Sequence, residues 1–237
     1  MTLFTIAKLT LESNGWKAPV ASVSASPDDN MKQVFALANK EILALAFRRT
    51  WPILVKDNSI VTVSGQSDYD LPIDFHHIIN PSVYYASQYY AVKGNLQPLE
   101  YIRYVNNMVG PNSSCTGYRI QQKAKKIRLI PTPTVDGEQL VYFYLSKNLV
   151  VGSDGNEKIL YSQDDDVALL DEDLVELGLN WRWRAKKGLD YTAEIMEYKG
   201  AVDQRYAQYL ALPEFPIGGH PCGDAPLTDG YVQGPFG

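Results

Sequence analysis

The spacing of apolar side chains changes period twice along this chain, and that pattern constrains the fold more than any single motif. Leu3, Ile6 and Thr10 lie three to four residues apart, with Ala7 and Leu11 beside them and Ser13-Asn14-Gly15 as a stop, so a short helix is predicted. Ser26-Pro27-Asp28-Asp29 then offers a cap residue, a proline at the first helical position, and carboxylates beside exposed N–H groups. Met31, Val34 or Phe35, Ala38, Ile42 and Leu45 follow at helical spacing, which predicts a helix from Pro27 to Arg49. Trp51-Pro52 ends it, because the residue before proline is pushed out of the α region.

From Ile53 the period shortens. Ile60 to Val63 is β-branched and bounded by Asp57-Asn58 and Ser64-Gly65, as a strand should be. Val83-Tyr84-Tyr85 and Tyr89 to Val92 flank a turn, Tyr118-Arg119-Ile120 leads to Ile127 to Ile130, and Asp136-Gly137 turns into Leu140 to Leu145. The middle of the chain is therefore expected to be a sheet of antiparallel strands, with alternation blurred by many tyrosines. Helical spacing returns at Leu170, Leu174, Leu177, Trp181 and Ala185, after an acidic run from Asp164 to Asp173. Ile195, Tyr198, Val202, Tyr206 and Tyr209 form a second stripe beyond a break at Gly188 to Asp190. The last 27 residues hold five prolines, six glycines and no lysine or arginine, a composition unsuited to a helix or a central strand.

The fold class that results is α+β, with N- and C-terminal helices packed as a bundle around a central antiparallel β-rich region and an extended C-terminal arm. Residues 1–52 and 168–210 are assigned to a helical domain, 53–151 to a β-rich domain, 152–167 to a connecting loop and 211–237 to the arm.

The 27 acidic and 22 basic residues give a formal charge of −5, which argues against a whole-surface nucleic-acid or membrane binder. No stretch approaches the roughly 18 apolar residues of a membrane span, and Thr5, Lys8, Thr10 and Glu12 interrupt the N-terminal apolar run as a signal peptide would not. Cys115 and Cys222 suggest neither a disulfide framework nor a thiolate metal site, which fits assembly in a reducing cytoplasm.

Chemistry-bearing patterns are sparse. His76 and His77, as neighbours on a strand, are expected to point to opposite faces and so not to form a two-ligand edge. Carboxylates between Asp164 and Asp173 offer a divalent metal site, and with it a metal-dependent hydrolase, but they read better as helix-start electrostatics. No phosphate-binding glycine loop or nucleophile elbow is present, so no catalytic, cofactor or metal residue is assigned. Tyrosines and tryptophans alone would suggest a carbohydrate- or peptide-binding module. Arg119, Lys123, Lys125, Lys126 and Arg128 place five positive charges within ten residues, a candidate weak contact for a DNA backbone or else a solvated hairpin that guards a sheet edge. Trp181, Arg182, Trp183, Arg184 and Lys186 combine a core-facing tryptophan with a charged face suited to a partner. Phe215, Ile217, Leu227, Tyr231 and Phe236 are candidate anchors of the arm, as is Val232.

The order of these features carries a resemblance. Arg48-Arg49-Thr50-Trp51-Pro52, the strand Ile60 to Val63, and Gly65-Gln66-Ser67-Asp68-Tyr69-Asp70-Leu71-Pro72-Ile73-Asp74-Phe75 with Ile78-Ile79 are followed by Tyr118-Arg119-Ile120, then Ile127 to Pro133 and Val141 to Leu145. Over residues 3–210 this arrangement resembles the head-to-tail adaptor proteins of short-tailed bacteriophages, also called tail tubular protein A. The resemblance implies a dodecameric ring in the virion neck, beneath the portal protein and above the distal tail or nozzle protein, enclosing a channel for passing double-stranded DNA. It implies helices that pack the ring and meet the portal, a β portion toward the distal tail, and a C-terminal extension toward the portal. Another neck or tail-completion protein is the alternative within the same class.

Overall fold

The computed structural model describes residues 1–19, 21–79, 82–87, 91–106, 116–121 and 123–210. Both predicted N-terminal helices form. The first, α1, spans Leu3–Ser13 and ends at Asn14, with Gly15 at φ 72°. The second, α2, spans Asp29–Ala46, and its cap is Asp28, whose carboxylate accepts from the N–H groups of Asn30 and Met31, rather than Ser26. A short 3₁₀ turn at Pro52–Leu54 delivers the chain into the β region.

Among the described residues ten strands follow: β1 (Val55–Val61), β2 (Asp68–Asp70), β3 (Phe75–Ile78), β4 (Tyr84–Tyr85), β5 (Gly117–Gln121), β6 (Lys126–Ile130), β7 (Gln139–Ser146), β8 (Val150–Val151), β9 (Glu157–Lys158) and β10 (Val167–Ala168). They make three sheets, not the single sheet expected. In the largest, β7 pairs with β1 along one edge, from Val55 opposite Leu145 to Val61 opposite Gln139, and with β3 and β4 along the other. That pairing draws Asp57 and Asn58 into a strand they were expected to bound. The second sheet is the β5–β6 hairpin with β2 alongside, and the third is β9-β8-β10, which occupies part of a segment read as a connecting loop. An unexpected helix, α3 (Pro98–Val105), lies between β4 and β5.

The C-terminal helical region divides into α4 (Glu172–Lys186) and α5 (Thr192–Leu210), with Gly188 at φ 72° between them. Helix α4 packs against α1, α2 and α5. Packing on several sides explains why its fully buried residues, Val175, Leu179 and Trp183, fall off the predicted stripe, while Leu177 and Trp181 are only partly buried. Gly178 is buried where α4 meets α2, and a Cβ there would collide with the Glu41 carboxyl.

Among the described residues the buried apolar side chains form two clusters. One joins α1, α2, α4 and α5 to Leu145, Leu149, Val150 and Tyr161. The other fills the β region with Ile60, Ile78, Ile127, Leu129, Leu140 and the tyrosines Tyr69, Tyr118, Tyr142 and Tyr144. Several of these tyrosines can be buried because their hydroxyls are satisfied. Tyr142 accepts from Asn58 at 2.7 Å, Tyr144 donates to Asp74 at 3.0 Å, and Tyr69 donates to the Gln66 carbonyl at 3.0 Å. Among the described residues no helix is long and apolar enough to cross a membrane. The predicted arm, 211–237, lies outside the described residues.

Candidate functional site

The basic cluster forms around the β5–β6 hairpin, but strand register divides it. Asp68 lies opposite Arg128 and Asp70 opposite Lys126. Arg128 grips Asp68 with both arms of its guanidinium, Nε to Oδ1 at 2.7 Å and Nη2 to Oδ2 at 2.6 Å, which holds the Asp68 carboxyl below its ordinary range. Lys126 Nζ lies 3.6 Å from Asp70. Arg119 stacks 4.7 Å over the Tyr101 ring, and Lys123 and Lys125 are exposed at the turn. Three of the five charges, Arg119, Lys123 and Lys125, thus stay outside ion pairs among the described residues. Arg119 and Lys123 line an open hollow of about 460 Å³ with Tyr101.

The aromatic and basic run on α4 is mostly committed to holding helices together. Trp183 is wholly buried and meets Trp16 edge to face at 5.6 Å. Arg182 pairs with Glu41, which is itself fully buried and accepts from the Tyr198 hydroxyl. Burial pushes the Glu41 carboxyl up, and the Tyr198 and Arg182 donors offset this only in part. Arg184 Nε lies 3.1 Å from Glu194 and donates to the Asp190 carbonyl at 2.8 Å. Lys187, outside the predicted set, sits over the Trp16 and Trp183 rings and donates to Asn30 and Gln33. Trp181 is partly buried against Tyr198, and Lys186 is the exposed member of the predicted group.

The acidic run disperses in the same way. Asp164 accepts from the N–H groups of Val23 and Ser24, and Asp166, fully buried, accepts from those of Ser162 and Gln163 and from Lys158. Burial alone would raise both carboxyls, but these donors outweigh it and hold them low. Asp171 caps α4 and meets Arg205 at 2.9 Å. These carboxylates tie loops and helix starts in place, and no group of three or more His, Cys, Asp or Glu among the described residues could hold a metal ion.

The histidines need a correction. His76 and His77 do not diverge: their Nδ1 atoms lie 2.6 Å apart, and His76 stacks on Phe47 at 4.1 Å. The register of β3 on β7 slips between Phe75 and His77, and this bulge cancels the alternation that would separate the rings. Both rings are exposed, and partial loss of hydration lowers both imidazole pKa values, with His77 lowering that of His76 further.

One exposed apolar surface corresponds to none of the sequence motifs. On α3, Leu99, Ile102 and Val105 recur every third residue and are 62%, 51% and 52% exposed. Its start was signalled by Gln97-Pro98 with Glu100, whose carboxylate accepts from the Gln97 N–H at 3.2 Å. The arm anchors Phe215, Ile217, Leu227, Tyr231, Val232 and Phe236 lie outside the described residues.

No curated protein matches the chain. Among protein families, it matches the one described as SU10 adaptor protein over residues 7–215.

Proposed function

We propose, on the premise that the chain belongs to the SU10 adaptor protein family, that it is a non-enzymatic structural part of a phage virion joining head to tail. The match across most of the chain carries this reading. The committed state of its charged groups supports it, since carboxylates and guanidinium groups that a catalytic site would need are spent on capping and pairing.

The finer assignment is a dodecameric ring of the tail tubular protein A type, seated between the portal protein and the distal tail or nozzle protein and assembled in the host cytoplasm. In that ring the division at 1–52 with 168–210, 53–151, 152–167 and 211–237 becomes a division of labour. The helical part packs the ring, the β part faces the tail, and the arm adds buried area on a partner. The two separate apolar clusters support two working layers. Lys186 on α4 and the outer arm anchors Leu227, Tyr231, Val232 and Phe236 meet the partner, while Trp181 to Arg184 set the rigidity of the helices that present them. Arg119 and Lys123, which line the open hollow, touch passing DNA only weakly, because the chain's net charge of −5 opposes tight binding. Imaging of the intact particle by cryo-electron microscopy tests the position: density for this fold between portal and tail supports it, and density elsewhere overturns it.

A further inference from the structure

Three half-buried apolar side chains extend the β cluster outward, Leu71, Phe75 and Ile120. All three line one cavity of about 240 Å³, together with His76, Lys125 and Lys147 and no acidic residue. Neither lysine takes part in an ion pair among the described residues, so an apolar hollow ringed by basic groups stands open in a chain of net charge −5. Its volume falls below the roughly 300 to 1,000 Å³ of small-molecule sites, which suits one large side chain better than a cofactor.

The sequence holds a fitting occupant. Leu212-Pro213-Glu214-Phe215-Pro216-Ile217 sets a carboxylate beside an aromatic ring, and its two prolines favour an extended backbone with less ordering to offset. Residues 211–237 contain Glu214, Asp224 and Asp229 and no lysine or arginine, so their charge complements the cavity. Ring contacts, joined by the backbone from Phe47 to Trp51, link the end of α5 to the cavity. Tyr206 and Tyr209 pack at 5.6 and 6.0 Å on Trp51, and Phe47, four residues earlier, stacks on the His76 that lines the cavity. From Leu210 to Phe215 an extended chain reaches up to about 17 Å.

We propose that the root of the arm folds back within its own subunit, with the Phe215 ring in the cavity and the Glu214 carboxylate against Lys125 and Lys147. Gly218-Gly219 then acts as a hinge from which the remaining arm reaches outward. This docking aims the arm, and it does not depend on the ring described above.

Hydrogen exchange of the full-length chain tests it, comparing the native sequence with Phe215→Ala, a change outside both packed clusters. Amides around Phe75 and Ile120 should exchange about tenfold faster in the variant, the effect expected for losing one buried aromatic ring. Glu214→Lys should have the same effect, and Lys147→Glu should restore protection to that variant. Protection must also stay constant over a hundredfold dilution. Equal exchange in native and Phe215→Ala proteins overturns the proposal, and protection that fades on dilution overturns the fold-back in favour of a neighbour's arm.

Discussion

Glu41 shows how single residues fix the helical packing. It is buried among α2, α4 and α5, and Arg182 and Tyr198 are the donors that make its burial tolerable. Arg182→Met should cost about 3 to 5 kcal/mol, because it strands a buried carboxylate; the urea midpoint measures this. Gly178→Ala should cost about 1 to 3 kcal/mol by forcing that carboxyl aside, also read from denaturation. The histidine pair predicts a pH dependence. Both folded pKa values are lowered from an unfolded value of about 6.5, so the unfolded chain binds more protons and stability falls as pH drops through that value. His77→Gln should flatten the loss between about pH 7.5 and 5.5, and an unchanged slope would contradict the pairing. None of this was legible in sequence. A buried Glu looks like a surface Glu on a helix, and the β3 bulge that joins the histidines arises from pairing with β7, some seventy residues away.

At the scale of elements, legibility followed how local the cause was. Helices α1 and α2 announced themselves through a 3.6-residue period and stop signals that neighbouring residues enforce, although the cap of α2 is Asp28 and not the expected Ser26. The start of β1 did not, because Asp57 and Asn58 become strand only when laid against Phe143 and Tyr142. The same long-range register decided the basic hairpin, where β2 neutralises two of five charges in a cluster that sequence showed as uniform. A quantitative expectation follows for DNA binding by the assembled protein. Replacing Arg119 and Lys123 with alanine should reduce the salt dependence by about 0.9 in log–log slope for each phosphate that is no longer neutralised, whereas Lys126→Ala should leave it nearly unchanged. Equal effects of all three would show that Asp70 does not hold Lys126.

At the scale of the whole molecule, the α+β layout was visible because the change of period at Trp51-Pro52 and its reversal near Leu170 divide the chain unambiguously. The separation of strands into three sheets was not, since nothing local tells β2 to join the hairpin rather than β1. Nor could the candidate surfaces be ranked by composition. The aromatic and basic run on α4 proved largely internal, while the apolar face of α3 stands exposed. Whether this chain joins head to tail is decided by the mass of the purified protein alone and mixed with the portal ring of its phage. A discrete complex carrying one ring of this chain per portal is expected, whether or not the free protein is monomeric. A portal whose mass stays unchanged at saturating concentrations of this protein would contradict it.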